Sequence, residues 1–70
     1  MRDSQTFAAH AERCHQEAED SPLTLVRERA LRAEAAWMVL AQRSLKTEAM
    51  RDARQQRDAM AAAMLVQDAS

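Results

Sequence analysis

Glu19-Asp20-Ser21-Pro22 is the only strong punctuation in a chain of 70 residues with no glycine and one proline. Serine accepts hydrogen bonds from the orphan amides of a new helix, and proline brings a pre-set φ to its first position, so a helix is expected to begin here. Toward the N-terminus, Phe7, Ala11, Cys14 and Ala18 step by four, three and four, which at 100° per residue puts all four within about 60° of one another. A first helix is therefore expected from about residue 4, with Ser4 as its N-cap, to about residue 20. Its polar arc carries Glu12, Arg13, Gln16, Glu17 and Glu19.

Toward the C-terminus, Leu23, Val26, Ala30, Ala33, Trp37, Leu40, Ala41 and Ser44 form a second stripe, about 100° wide. A turn confined to residues 20–22 leaves the two helices no arrangement but antiparallel. The expected hairpin core is Phe7, Ala11, Cys14 and Ala18 against Val26, Ala30, Ala33, Trp37 and Leu40. Counting outward from the turn sets Ala18 beside Val26, Cys14 beside Ala30, Ala11 beside Ala33 and Phe7 beside Trp37. The two aromatics would close the open end.

Past Ser44 this face turns polar, through Glu48, Arg51 and Gln55, and the apolar positions move to another side of the helix. That second face comprises Leu31, Met38, Leu45, Ala49, Ala53, Met60 and Met64. Either the chain breaks near 44–47 and a third helix begins, or the second helix runs on from about 22 to about 66. Continuation is the expectation, because no glycine or proline marks a break and Leu31, Met38 and Leu45 already stand at heptad spacing. Such a helix would be ~68 Å long, whereas 17 residues of the first cover ~25 Å. More than half of it would lie uncovered. The fold class expected is all-α: residues 1–70 as a single domain, an antiparallel hairpin with a long second helix, assembling as a dimer or higher homo-oligomer into a helical bundle, or covered by a protein partner.

Composition points the same way. Hydrophobic residues make up 47% of the chain, but 16 of those 33 are alanine, and Met, Leu, Val, Phe and Trp together number 16. Domains below ~70 to 80 residues rarely draw more than ~3 to 5 kcal/mol from one core. Ten basic residues balance eleven acidic ones, which excludes a global basic field and an acidic disordered tail. The longest uncharged run, residues 59–67, is nine residues, too short to span a bilayer. No secretory leader is expected behind Met1-Arg2-Asp3-Ser4, and one cysteine makes no internal disulfide, so a reducing, cytoplasmic compartment is the simplest expectation.

Phe7-x3-Ala11-x2-Cys14-x3-Ala18, then Ser21-Pro22, then Ala33-x3-Trp37-x2-Leu40-Ala41 resembles a group of small uncharacterised proteobacterial proteins built as two-helix hairpins. Their pattern places an aromatic, an alanine and a cysteine on the first helix, an acidic or proline-containing turn, and tryptophan followed by leucine and alanine on the second. The resemblance covers roughly residues 7–45. Phe7 stands where tyrosine is common, and residues 46–70 have no counterpart. It implies a bacterial hairpin protein and carries no activity.

Candidate chemistry is sparse. His10 and Cys14 lie four apart, with His15 on the other shoulder, and could form half of a zinc site that a dimer would complete. Structural zinc sites show two paired ligand clusters, and here there is one. Cys14 is therefore expected to be a small buried hydrophobe and His10 a boundary residue, with no metal and no cofactor. His15-Gln16-Glu17 ahead of Ser21-Pro22-Leu23-Thr24 has a superficial likeness to the phosphorylated box of helical-hairpin kinases. The proline falls seven residues on, at the wrong spacing, so His15 is expected to be a solvated surface histidine. A thiol in the buried stripe is deactivated, no glycine loop can cradle phosphate, and no catalytic residue is expected.

Arg29, Arg32, Arg43, Lys46, Arg54 and Arg57 fall within about 100° of one another on the long helix, a stripe able to meet phosphates or an acidic protein surface. It lacks interleaved aromatics, and a solvated face with pairs such as Glu28 with Arg32 explains most of it. Residues 59–66 are apolar on nearly all sides and read as an assembly or docking segment. The expected function is thus a non-enzymatic α-helical interaction or oligomerisation protein, with a nucleic-acid-binding dimeric regulator as the alternative.

Overall fold

A computed structural model describes residues 2–69 as two helices, α1 (Asp3–Asp20) and α2 (Thr24–Ala69), joined by residues 21–23. The helices lie antiparallel, and the fold is an all-α hairpin. The molecule measures 69 × 15 × 10 Å, and its long dimension is that of α2 alone, since 46 residues rise about 69 Å.

α2 runs without interruption through 44–47, so the alternative of a third helix is excluded. Nothing in that segment opposes the helix: Leu45, Lys46 and Glu48 are good formers. The Thr47 hydroxyl donates to the Arg43 carbonyl at 3.1 Å and is satisfied within the helix itself.

The helix ends depart from the sequence expectation. Ser4 is not the cap of α1 but lies inside its first turn, and Arg2 is the N-cap. The Arg2 carbonyl accepts from the Gln5 and Thr6 amides at 3.0 and 3.2 Å, while Gln5 Oε1 accepts from the Arg2 amide at 3.3 Å. This is one half of a capping box, because an arginine side chain has no acceptor to supply the other. At the turn, Ser21 terminates α1, its amide donating to the Glu17 carbonyl at 3.2 Å, and its hydroxyl accepts from the Leu23 amide at 3.3 Å. The first bond of α2 runs from the Arg27 amide to the Leu23 carbonyl. The turn is therefore 21–23 rather than 20–22, and α2 spans 24–69 rather than 22–66.

Among the described residues the buried apolar ones are all alanines, Ala11 and Ala18 of α1 against Ala30 and Ala41 of α2, joined by Ser4. Phe7, Cys14, Val26, Ala33 and Trp37 are half-buried around them. Small residues on both sides let the axes approach toward the short end of the ~8 to 10 Å range. Leu40, expected in the core, is 38% exposed, and Leu23 of the second stripe is 64% exposed. Leu40 and Ala41 point about 100° apart on one helix, so a single neighbouring helix covers one of them. α1 lies over Ala41.

The cover also extends farther along α2 than counting residues suggests. Burial ends at Glu48, and every described side chain from 49 to 68 is exposed, so less than half of α2 is bare rather than more. The reason is side-chain direction. Helical side chains lean toward their own N-terminus, which in α1 points away from the turn and in α2 toward it. Contacts are therefore displaced up α2: His15 reaches Glu34, Ser4 reaches Glu48 and Arg2 reaches Asp52. The wide rings of Phe7 and Trp37 bridge this offset and stack with centroids 5.8 Å apart.

Candidate assembly surface

Two polar links fasten the hairpin and determine which side of α2 stays free. At the open end, Glu48 accepts from the Ser4 amide at 3.1 Å and from the Ser4 hydroxyl at 2.8 Å. It thereby satisfies an orphan donor in the first turn of α1 from 44 residues away, and sets its carboxylate against the positive end of that helix. Arg2 closes the clasp with a fork onto Asp52 at 3.0 and 3.1 Å and a longer contact to Glu48 at 3.4 Å. Desolvation raises the Glu48 pKa, but the hydrogen bonds from Ser4 and the Arg2 guanidinium outweigh it and hold the carboxyl below its usual value.

Nearer the turn, His15 is bridged by carboxylates on both ring nitrogens, Nδ1 to Glu34 of α2 and Nε2 to Glu19 of its own helix, each at 3.0 Å. A neutral imidazole has one N–H and can donate to only one of them, so the geometry suits the imidazolium. The Glu34 hydrogen bond first, then the charges of Glu34 and Glu19, raise the His15 pKa above its ordinary value. His15 thus links the two helices while its side chain stays 40% exposed to solvent. His10, four residues from Cys14, stacks on Trp37 at 4.5 Å and its Nδ1 lies 3.0 Å from an Arg13 guanidinium nitrogen, which can only donate. The tryptophan thus stacks with both Phe7 and His10, and among the described residues no group of three or more metal-ligating side chains converges.

Sequence reasoning passed over both links. Glu48 continues the four-three-four rhythm of Trp37, Ala41 and Ser44, and its place on the inner stripe opposite a serine at a helix start was the available signal. Glu34 sits between the inner stripe and the second apolar face and carried no comparable mark.

The remaining surface of α2 divides into two faces. Leu31, Met38, Leu45, Ala49, Ala53, Met60 and Met64 are all exposed, Met60 at 64%, on a side turned about 120° from α1. Arg29, Arg32, Arg43, Lys46, Arg54 and Arg57 are likewise exposed, on the third side. Among the described residues none of these six cations enters an ion pair. Between α1 and the apolar face runs a shallow groove of about 320 Å³, lined by Ala8, Ala11 and Glu12 of α1 and by Glu34, Met38, Ala41 and Gln42 of α2. An open, mixed-charge hollow surrounds the Arg2 clasp and includes Arg43 and Arg51. No described helix is long and apolar enough to cross a membrane.

No protein family matches the chain, and neither a curated protein nor a solved structure is found to be similar to it.

Proposed function

We propose that this chain is a non-enzymatic helical assembly protein, whose α2 associates with another helix through the face carrying Met38, Leu45 and Met60. One observation carries the reading: α2 continues for 21 residues beyond the last side chain that α1 covers, and every described side chain there is exposed, Met50, Met60, Met64, Leu65 and Val66 among them. In proteins most helical stability comes from packing of an amphipathic face, and within this chain that segment has none. The hairpin's own buried set is small, and among the described residues twelve large apolar side chains remain exposed, a surface of the kind that marks interaction sites. Kinship with the small bacterial hairpin proteins and a reducing, cytoplasmic setting belong to the same proposal, supported by the Phe7–Trp37 stack and by the lone Cys14.

Sedimentation velocity across micromolar concentrations tests it. The native chain is expected to associate, and replacing Met38 and Leu45 by glutamate should abolish association while leaving the Phe7–Trp37 contact in place. A stable, helical monomer at high concentration contradicts the proposal.

A second reading rests on the exposed six-cation face, which would suit phosphates of a nucleic acid. Binding would then appear at low salt and weaken steeply as salt rises. Neutralising Arg43, Lys46, Arg54 and Arg57 should remove it, and unchanged duplex binding in that variant would eliminate this reading.

A further inference from the structure

On the apolar face of α2, positions 31, 35, 38, 42, 45, 49, 53, 56, 60 and 63 fall within about 80° of one another. They read Leu, Ala, Met, Gln, Leu, Ala, Ala, Gln, Met, Ala: no charge over 33 residues of a chain that is 30% charged. The stripe also reads nearly alike from either end. About Ala49 as centre, Ala35 corresponds to Ala63, Met38 to Met60 and Gln42 to Gln56, while Leu45 opposite Ala53 and, at the end of the stripe, Leu31 opposite Gln67 are the unlike pairs.

From this we infer that α2 pairs with α2 of a second copy in antiparallel register, the two-fold axis passing at Ala49, so that the bare distal half of each copy lies on the hairpin of the other. The inference rests on the assembly reading above and specifies its partner and geometry. In a two-fold interface residue i meets j′ and j meets i′. The resulting layers are matched in size: alanine meets alanine at 35/63 and 49/49, flexible methionines meet at 38/60, and Leu45 faces the smaller Ala53. At 42/56 two glutamine amides, each both donor and acceptor, can pair across the seam. A slip by one layer sets methionine against glutamine, so the polar layer fixes the register, as buried polar positions do in coiled coils.

Three features of the hairpin agree. The distal segment 49–69 and α1 have similar lengths, 21 and 18 residues, so each copy's tail finds a hairpin of its own extent. In an antiparallel pair like flanks meet, which brings Ala59 and Ala63 of the arriving helix toward the Ala8 and Ala11 wall of the groove. A helix entering between two others needs apolar surface on more than one side, and residues 59–66 are apolar on nearly all sides.

Cysteine cross-linking in a Cys14→Ala background tests the geometry. Ala49→Cys should form a disulfide dimer on mild oxidation, and Ala35→Cys mixed with Ala63→Cys should cross-link several-fold more than either variant alone. Because a substituted layer could itself perturb pairing, a non-covalent arm is run beside it. Met38→Glu and Met60→Lys should each associate at least tenfold more weakly than the native chain, and mixing the two should restore association, since the heterodimer pairs Glu with Lys once and keeps Met60 against Met38 once. Self-cross-linking of Ala35→Cys and of Ala63→Cys without rescue on mixing means a parallel dimer, which overturns the inference and leaves the assembly reading intact. Ladders beyond dimer from the Ala35→Cys and Ala63→Cys mixture mean an open, head-to-tail array and overturn it likewise. A native chain that stays monomeric overturns both.

Discussion

The two halves of α2 belong to one unbroken helix, yet they meet water differently. Residues 24–48 place Ala30, Ala41 and Glu48 against α1, whereas from 49 to 68 no described side chain is withdrawn from solvent. Apolar content does not separate them, since Met50, Met60, Met64, Leu65 and Val66 all lie in the bare half. What separates them is the partner. The covered half has small residues facing a second helix of small residues, and a polar clasp, Ser4 and Arg2 with Glu48 and Asp52, marks where that partner stops. Amphipathic patterning beyond that point has nothing in the same chain to serve.

The largest effect expected on the covered half comes from Trp37→Ala. It removes the ring that stacks with both Phe7 and His10 and should cost about 3 kcal/mol, the lower end for aromatic truncation because the ring is half-buried. A hairpin of this size has little more to lose. Thermal circular dichroism should show the cooperative transition collapse, and an unchanged melting curve would mean that the stack contributes nothing. Next in size, Ala30→Leu pushes the close-packed helices apart and should cost ~1 to 3 kcal/mol by overpacking. Denaturant unfolding of this variant beside Ala53→Leu, in the bare half, gives a direct contrast, because the latter should leave the hairpin's stability near its native value.

Much of this was legible in the sequence: with no glycine and a single proline, the one interruption at Ser21-Pro22 had to be the turn, and alanine stripes at helical spacing had to face one another. The placement of individual contacts was less legible. Counting residues from the turn ignores the N-terminal lean of helical side chains, which is why His15 meets Glu34 and Ser4 meets Glu48 well up α2. Glu48, read alone, resembles the end of an apolar stripe, and only its position against the first amides of α1 shows why an acid belongs there. Leu40 was misplaced because it and Ala41 flank the stripe about equally, and patterning does not say toward which flank the second helix leans.

The two polar links predict a pH dependence with limbs of opposite sign. Glu48 has a lowered pKa, so its contribution is present above the unfolded carboxylate value and fades as pH falls through the folded one. His15 has a raised pKa, so its contribution is full below the ordinary imidazole value and fades as pH rises through the folded one. The hairpin should therefore be most stable between roughly pH 4.5 and 6.5. Melting temperatures measured against pH should show both limbs, with Glu48→Gln flattening the acid limb and His15→Gln the alkaline one; a limb that survives its substitution must belong to another group. Smallest of all is the expected effect of Met60→Glu on the hairpin itself, within ~0.5 kcal/mol at dilutions where no association occurs, as for exposed substitutions generally.

Backbone hydrogen exchange, followed segment by segment as the chain is diluted, tests most directly whether the bare half of α2 is an assembly surface. At high concentration, amides across 49–69 should be protected. On dilution they should lose that protection by orders of magnitude, while amides of α1 and of residues 30–44 keep most of theirs. Protection across 49–69 that does not change with concentration, whether high or absent, would contradict the account.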